Sequence, residues 1–145
     1  MSKTILITGG AGFIGSHVVR LFVNKYPDYK IVNLDKLTYA GNLSTLASVE
    51  NHQKYQFIKA DICKRSIVKS IIKSYKPDAI VHFAAESHVD RSIDRPFEFL
   101  QTNIMGTAIL LDEALHYYNA LKDVQKKAFR FLHVSTDEVY GTLGN

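Results

Sequence analysis

The feature that most constrains this 145-residue chain is an alternation between two kinds of hydrophobic pattern. Lys3 to Thr8 (KTILIT) is a short, β-branched apolar run that stops at glycine, as a strand covered on both faces does. Ile14, Val18, Leu21 and Phe22 then recur at helical spacing. Lys30 to Leu34 is a second strand-like run ending at Asp35, and Tyr55, Phe57 and Ile58 mark a third that ends near Asp61. A short helix is expected around Leu43 to Val49. Ile67, Val68, Ile71, Ile72 and Tyr75 form a clear amphipathic helix stopped before Pro77. Ala79 to Ala84 reads as a fourth strand, Pro96 opens a long helix, and Phe129 to Val134 is a fifth strand.

Strand and helix in repeated alternation predict one α/β domain, a Rossmann-like doubly wound parallel sheet with helices on both sides. Such sheets bind ligands at the carboxyl ends of their strands. The loops that begin at Gly9, Asp35, Asp61, Ala84 and Ser135 are therefore expected to share one rim. Along the long helix, residues 100, 104, 107, 111, 114, 118 and 121 alternate in steps of four and three. Packing on its own sheet and pairing across a two-fold axis both fit that seam, and a homodimer through the long helices is the expected assembly.

Composition narrows the class further. Hydrophobic residues at 46% and charged residues at 22% are globular values, which argues against a disordered chain. No apolar stretch approaches the ~18–20 residues of a membrane span, and Gly9-Gly10 interrupts the N-terminal run too early for a signal peptide. The single Cys63 forms no internal disulfide and reads as a loop filler rather than a nucleophile. The net charge of +4 comes partly from Lys69, Lys73 and Lys76, at helical spacing opposite Ile67, Ile71 and Ile72. That arrangement is a solvated helix face rather than a nucleic-acid surface. His82 and His133 lie within strands and read as core histidines, and His17, His52 and His116 lack ligand spacing, so no metal is expected. The expectation is a soluble cytoplasmic domain without nucleic-acid or membrane partners.

Gly9, Gly12 and Gly15 form G-x-x-G-x-x-G between the first strand and the first helix. Glycine permits the tight turn and lets backbone N–H groups approach a pyrophosphate, to which the helix N-terminus adds donors and partial positive charge. Asp35 stands 35 − 15 = 20 residues beyond the last glycine, where a carboxylate accepts from ribose hydroxyls and repels a 2′-phosphate. NAD is therefore favoured over NADP, a preference that the adjacent Lys36 softens. Asp61 and Ile62 end the third strand, where a side chain would reach an adenine or merely cap a loop. After the fifth strand, Ser135-Thr136-Asp137-Glu138 admits two readings. Ser135 and Glu138 match a helix capping box. Alternatively, Asp137 and Glu138 are an acid and a base whose mutual repulsion keeps one protonated.

Four blocks together carry a resemblance: TGGAGFIG at Thr8 to Gly15, LDKLTYAGNL at Leu34 to Leu43, HFAAESHVDRS at His82 to Ser92, and STDEVYG at Ser135 to Gly141. They resemble the dTDP-glucose 4,6-dehydratases, a branch of the extended short-chain dehydrogenase/reductase family, over the whole chain in order. The resemblance implies NAD-dependent dehydration of a nucleotide-activated glucose. In that scheme Thr136 hydrogen-bonds the C4 oxygen, Glu138 removes the C5 proton, and Asp137 protonates the departing C6 hydroxyl. It also implies that Phe13 and Ile14 cover the pyrophosphate and that Asp35, Lys36, Leu37 and Thr38 hold the adenosine ribose. Asp61 and Ile62 would meet the adenine, and Phe83, Ala84, Ala85, Ser87 and Thr102 would line the cofactor, with Ser87 also reaching the sugar.

The same resemblance implies a Y-x-x-x-K motif beyond Asn145 and a later sugar-nucleotide domain. Tyr117, Tyr118 and Tyr140 do not take that tyrosine's place, so the 145 residues alone are expected to be inactive or nearly so. A nucleotide-sugar epimerase or decarboxylase, and a non-catalytic NAD-binding module, are the alternatives.

Overall fold

The computed structural model describes residues 2–141, apart from the side chains of Asp137 and Glu138. Five strands form one sheet: β1 (Thr4–Thr8), β2 (Lys30–Asp35), β3 (Tyr55–Lys59), β4 (Ala79–His82) and β5 (Arg130–His133). Their order is β3-β2-β1-β4-β5 and every pairing is parallel. The sequence reverses direction across the sheet between β1 and β4, which is where such sheets open a ligand crevice at their carboxyl edge.

Both faces of β1, β2 and β4 are covered, which is why these strands read as continuous apolar runs, whereas Leu132 on the edge strand β5 is exposed. Ile5, Ile7, Ile31 and Val81 point to one side, where Val19 and Val23 of α1 (Phe13–Lys25) complete a core with Leu46 and Val49. Leu6, Val32, Leu34 and Ile80 point to the other, against Val68, Ile71 and Ile72 of α2 (Arg65–Tyr75) and Leu110 and Ala114. Between β4 and β5 the chain forms α3 (Val89–Asp94), α4 (Pro96–Phe99), a π-helical segment (Leu100–Gly106), α5 (Thr107–Ala120) and α6 (Asp123–Ala128). The short helix expected near Leu43 is a 3-10 turn, Leu43–Leu46. None of the described helices is long and apolar enough to cross a membrane.

Two helix faces differ from their sequence patterns. On α1 the buried residues are Gly15, Ser16, Val19 and Val23, whereas Ile14 and Leu21 are exposed. Gly15 is pressed onto the backbone of the glycine turn, and that contact sets the rotation of the helix and turns Ile14 outward. On the long helix the seam divides. Thr107 and Ala114 face inward with Gly106 and Leu110, because the small residues at 106 and 114 let α5 settle against Ile62 and α2. Ile104, Ala108, Leu111 and Leu115, themselves spaced four, three and four, lie exposed on the opposite side. Arg65 of α2 pairs with Asp112 and, at 2.7 Å, with the buried Glu113 of α5. Asp112, Glu113 and His116 bring their ligand atoms together there, with the guanidinium as the cation between the carboxylates.

Candidate functional site

The rim is built from the glycine turn outward. Gly9 has φ +73°, a conformation that costs glycine little, and donates its N–H to Leu34 O at 2.9 Å. A Cβ at Gly9 would lie 2.5 Å from the amide nitrogen of Ala84, and one at Gly15 would lie 2.2 Å from Gly9 O. A Cβ at Gly12 would instead meet only Gly9 O, at 3.3 Å, so this position opens toward the crevice. Helix α1 begins here with no side-chain cap and no acidic residue in its first turn. Its leading N–H groups are thus left for an outside anion. Phe13 and Ile14, 82% and 60% exposed, flank the same opening. Gly10 also proves essential to the turn, because a Cβ there would fall 2.1 Å from the buried Asn33 Oδ1. The fingerprint treats position 10 as variable, so sequence spacing held no signal for it.

Asp35 is nearly buried at the end of β2 and ties two loops together. Its Oδ2 accepts from Ala11 N–H at 2.9 Å and its Oδ1 from Leu37 N–H at 2.8 Å. The glycine turn and the loop after β2 are therefore held together by one carboxylate. Leu37 follows at φ 57°, a strained conformation for a branched side chain, locked by that hydrogen bond. Lys36 turns the other way and pairs with Asp61 Oδ2 at 2.8 Å. The bond to Asp61 raises the Lys36 ammonium above its ordinary value. Burial works to raise the Asp61 carboxyl, but Lys36 and the Cys63 N–H outweigh it and hold it below the usual range. The side chain of Ile62 is buried in the second core beneath Gly106, so at this corner only its backbone reaches the rim.

The loop after β4 closes the other side. Phe83 donates its N–H to Thr8 O at 3.0 Å and packs partly on the first core, and Ala84 lies against Gly9. Asn103 clamps the next turn through both of its amide atoms, accepting from Glu86 N–H and donating to Glu86 O, each at 2.8 Å. Ala85 and Ser87 beside it are exposed. Thr102 shares the π-helical segment with Asn103, and with Lys36, Thr38 and Arg91 it lines a crevice of about 310 Å³. Irregular helical turns of this kind often mark functional positions.

Beneath the loop, His82 is buried. Its Nδ1 lies 2.6 Å from Thr8 Oγ1 and its Nε2 2.9 Å from Thr107 Oγ1. Burial, with a smaller contribution from His133, lowers His82 to about 4, so the ring is neutral at pH 7. It is the hydrogen-bonded core histidine its position in a strand suggests. His133 is instead exposed on the edge strand, 5.0 Å from the His82 ring.

Thr136 leaves β5 on the same rim and accepts from Val139 N–H, at 3.3 Å, in the 3-10 turn Asp137–Tyr140. The side chains of Asp137 and Glu138, and hence both the capping box and the acid pair, lie outside the described residues. A larger hollow of about 460 Å³ sits at the opposite edge, lined by Pro77, Asp78 and Phe129 where β4 and β5 begin. It is remote from the glycine turn. Tyr26, Tyr55 and Tyr118 each have a lysine four residues on, but none of these pairs shares a helical turn. Tyr26 follows α1 whereas Lys30 opens β2, Tyr55 and Lys59 are the two ends of β3, and Lys122 lies past the end of α5.

Residues 6–145 match the family model described as GDP-mannose 4,6 dehydratase. The chain belongs to that family. Within the GDP-mannose 4,6 dehydratase family it is 58% identical over 139 residues to a dTDP-glucose 4,6-dehydratase of Escherichia coli, covering 96% of this chain and 38% of that protein. The dTDP-glucose 4,6-dehydratase of Streptomyces venezuelae, crystallised with NAD, superposes with a TM-score of 0.83 at 44% identity, covering 98% of this chain and 42% of that one. A UDP-glucose 4-epimerase of Thermotoga maritima superposes with a TM-score of 0.79 at 29% identity, covering 98% and 41%. The chain thus spans about two fifths of the length of these relatives. The alternating parallel sheet read from the sequence is the fold these solved structures share.

Proposed function

We propose that these residues are the NAD-binding part of a dTDP-glucose 4,6-dehydratase, with its acid and base supplied by Asp137 and Glu138. The observation that carries this reading is the rim itself. The open Gly12 face, the uncapped start of α1 and the Asp35 carboxylate stand at the carboxyl ends of the neighbouring strands β1 and β2, and STDEVYG leaves β5 on the same edge. Gly9, Gly12, Gly15, Phe13 and Ile14 hold the pyrophosphate. Asp35, Leu37, Thr38 and the backbone of Lys36 hold the adenosine ribose, Asp61 and the Ile62 backbone meet the adenine, and Phe83, Ala84, Ala85, Ser87 and Thr102 line the nicotinamide side. NAD, when bound, supplies the acceptor for hydride from C4 of the glucose ring and the donor that returns it to C6.

The chain's own residues carry the elimination. Thr136 and Ser87 hold the sugar, Thr136 by a hydrogen bond to the C4 oxygen. With C4 a ketone, the C5–H is acidic enough for Glu138 to remove as general base. Asp137, protonated, gives its proton to the departing C6 hydroxyl, so water leaves across C5–C6. In the whole protein, Asp137→Asn and Glu138→Gln are each expected to lower formation of the 4-keto-6-deoxy product on the order of 10²–10⁴-fold, the usual contribution of one general acid or base. NAD affinity should stay within about threefold. Elimination at the parent rate in both variants, or a C4 epimer as the product, would overturn the assignment. The 145 residues alone are expected to bind NAD without turnover, read by calorimetry and by product analysis on the same sample.

The assembly we propose is a homodimer through the long helices. Ile104 of the π-helical segment and Leu111 and Leu115 of α5, 58%, 46% and 56% exposed, form an apolar stripe on the side of the long helix away from its own sheet. Leu111→Glu with Leu115→Glu is expected to convert a dimer to a monomer in sedimentation velocity. A parent chain that already sediments as a monomer at tens of micromolar would remove the proposal. The lone Cys63, free in the structure, suits the reducing cytoplasm in which we place the protein.

A further inference from the structure

We propose that Asp61 sets the choice between the two nicotinamide dinucleotides, by holding Lys36 away from the ribose 2′ position; this rests on the dinucleotide reading above. Asp35 and Lys36 are consecutive at the end of β2, so the carboxylate that faces the ribose has a cation next to it in the chain. Left free, that ammonium is a ready partner for a 2′-phosphate and would undercut the selectivity that Asp35 provides. It is not free. Lys36 Nζ lies 2.8 Å from Asp61 Oδ2, and Asp61 is fixed in turn by the Cys63 N–H on its Oδ1 at 2.9 Å. The two oxygens of Asp61 thus do separate work, one anchoring the β3 loop and one occupying the cation.

The other cations lining this crevice are committed in the same way. Arg91 lies over the Tyr39 ring at 3.9 Å and 3.6 Å from Glu98, and Arg95 pairs with Glu98 at 3.3 Å. Among the described residues, every cation lining the crevice therefore has an acidic partner, while Arg91 Nε, which is buried, makes no hydrogen bond. Lys36 is the one whose neighbour in sequence faces the ribose. Asp61 is in this sense a positioning residue that acts through Lys36.

The test is the ratio of NADP+ to NAD+ affinity, measured by calorimetry at low ionic strength in the parent, Asp61→Asn, Lys36→Met and the double variant. Any adenine contact of Asp61 affects both dinucleotides equally and cancels in the ratio. Asparagine keeps an oxygen for the Cys63 N–H but loses the charge. Asp61→Asn is expected to raise the NADP+/NAD+ affinity ratio about tenfold, and the double variant to return it to the parent value. Lys36→Met alone should leave the ratio within about twofold of the parent, because the lysine is already occupied. An unchanged ratio in Asp61→Asn, a gain that survives in the double variant, or a ratio that falls in Lys36→Met would each overturn the proposal. Were the parent to bind neither dinucleotide, the functional reading itself would fail, an outcome distinct from all three.

Discussion

Gly15→Ala is expected to disrupt the glycine turn, and with it the dinucleotide binding we propose, and to lower the stability of the chain. The added methyl would stand 2.2 Å from Gly9 O and 2.8 Å from Gly10 Cα, both backbone atoms that cannot swing aside. Overpacking of this kind costs about 1–3 kcal/mol or more, which for a chain of this size lowers the melting temperature by roughly 5–10 °C. Dinucleotide affinity should fall by about a hundredfold or beyond detection, because the turn must open for the helix start to move. Gly12→Ala is the informative control. Its methyl would meet only Gly9 O, at 3.3 Å, so the melting temperature should move by no more than about 2 °C. It nevertheless projects toward the phosphates, and NAD+ affinity should drop about tenfold or more. A Gly15→Ala chain that melts and binds like the parent would show that the turn is not built as described.

Acid should weaken the fold through one histidine. His82 sits buried between Thr8 and Thr107 and titrates near 4, below the 6.5 of a solvated imidazole. Below pH 6.5 the unfolded chain therefore binds a proton that the folded chain refuses. Stability from this group is complete above pH 6.5 and is lost progressively as pH falls toward 4, amounting to about 3 kcal/mol. Urea unfolding at pH 7, 5.5 and 4 would read it, with His82→Gln expected to flatten the profile by a similar amount. A His82 ring whose proton resonances titrate near 6.5 would contradict the buried, neutral assignment. The bonds at stake join β1, which leads into the phosphate turn, to the start of α5, so the same acid range should loosen the rim before the far edge of the sheet.

Much of this was legible because it is local. The runs at Thr4–Thr8 and Ala79–His82 read as buried strands since both faces of a parallel sheet are covered, and α2 read as a helix from its alternating Ile and Lys positions. The places of the glycine turn after β1 and of Asp35 at the end of β2 were legible because each closes a short apolar run. The seam of the long helix divides in the structure, because periodicity gives a stripe but not which neighbour it meets. Thr107 and Ala114 turned inward because Gly106 admits Ile62, a contact between residues 44 apart, and no spacing rule contains it.

The sequence by itself determined the class of fold, the place of the glycine turn and the carboxylate after β2, since each follows from backbone geometry over a few residues. Only the tertiary structure decided the rotation of α1, the ties from Asp35 to Ala11 and Leu37, the bridge from His82 to Thr8 and Thr107, and the capture of Lys36 by Asp61. Those last facts depend on which strand ends lie side by side. In a sheet ordered β3-β2-β1-β4-β5, the neighbours at the rim are set by the long-range pairing of strands rather than by distance along the chain.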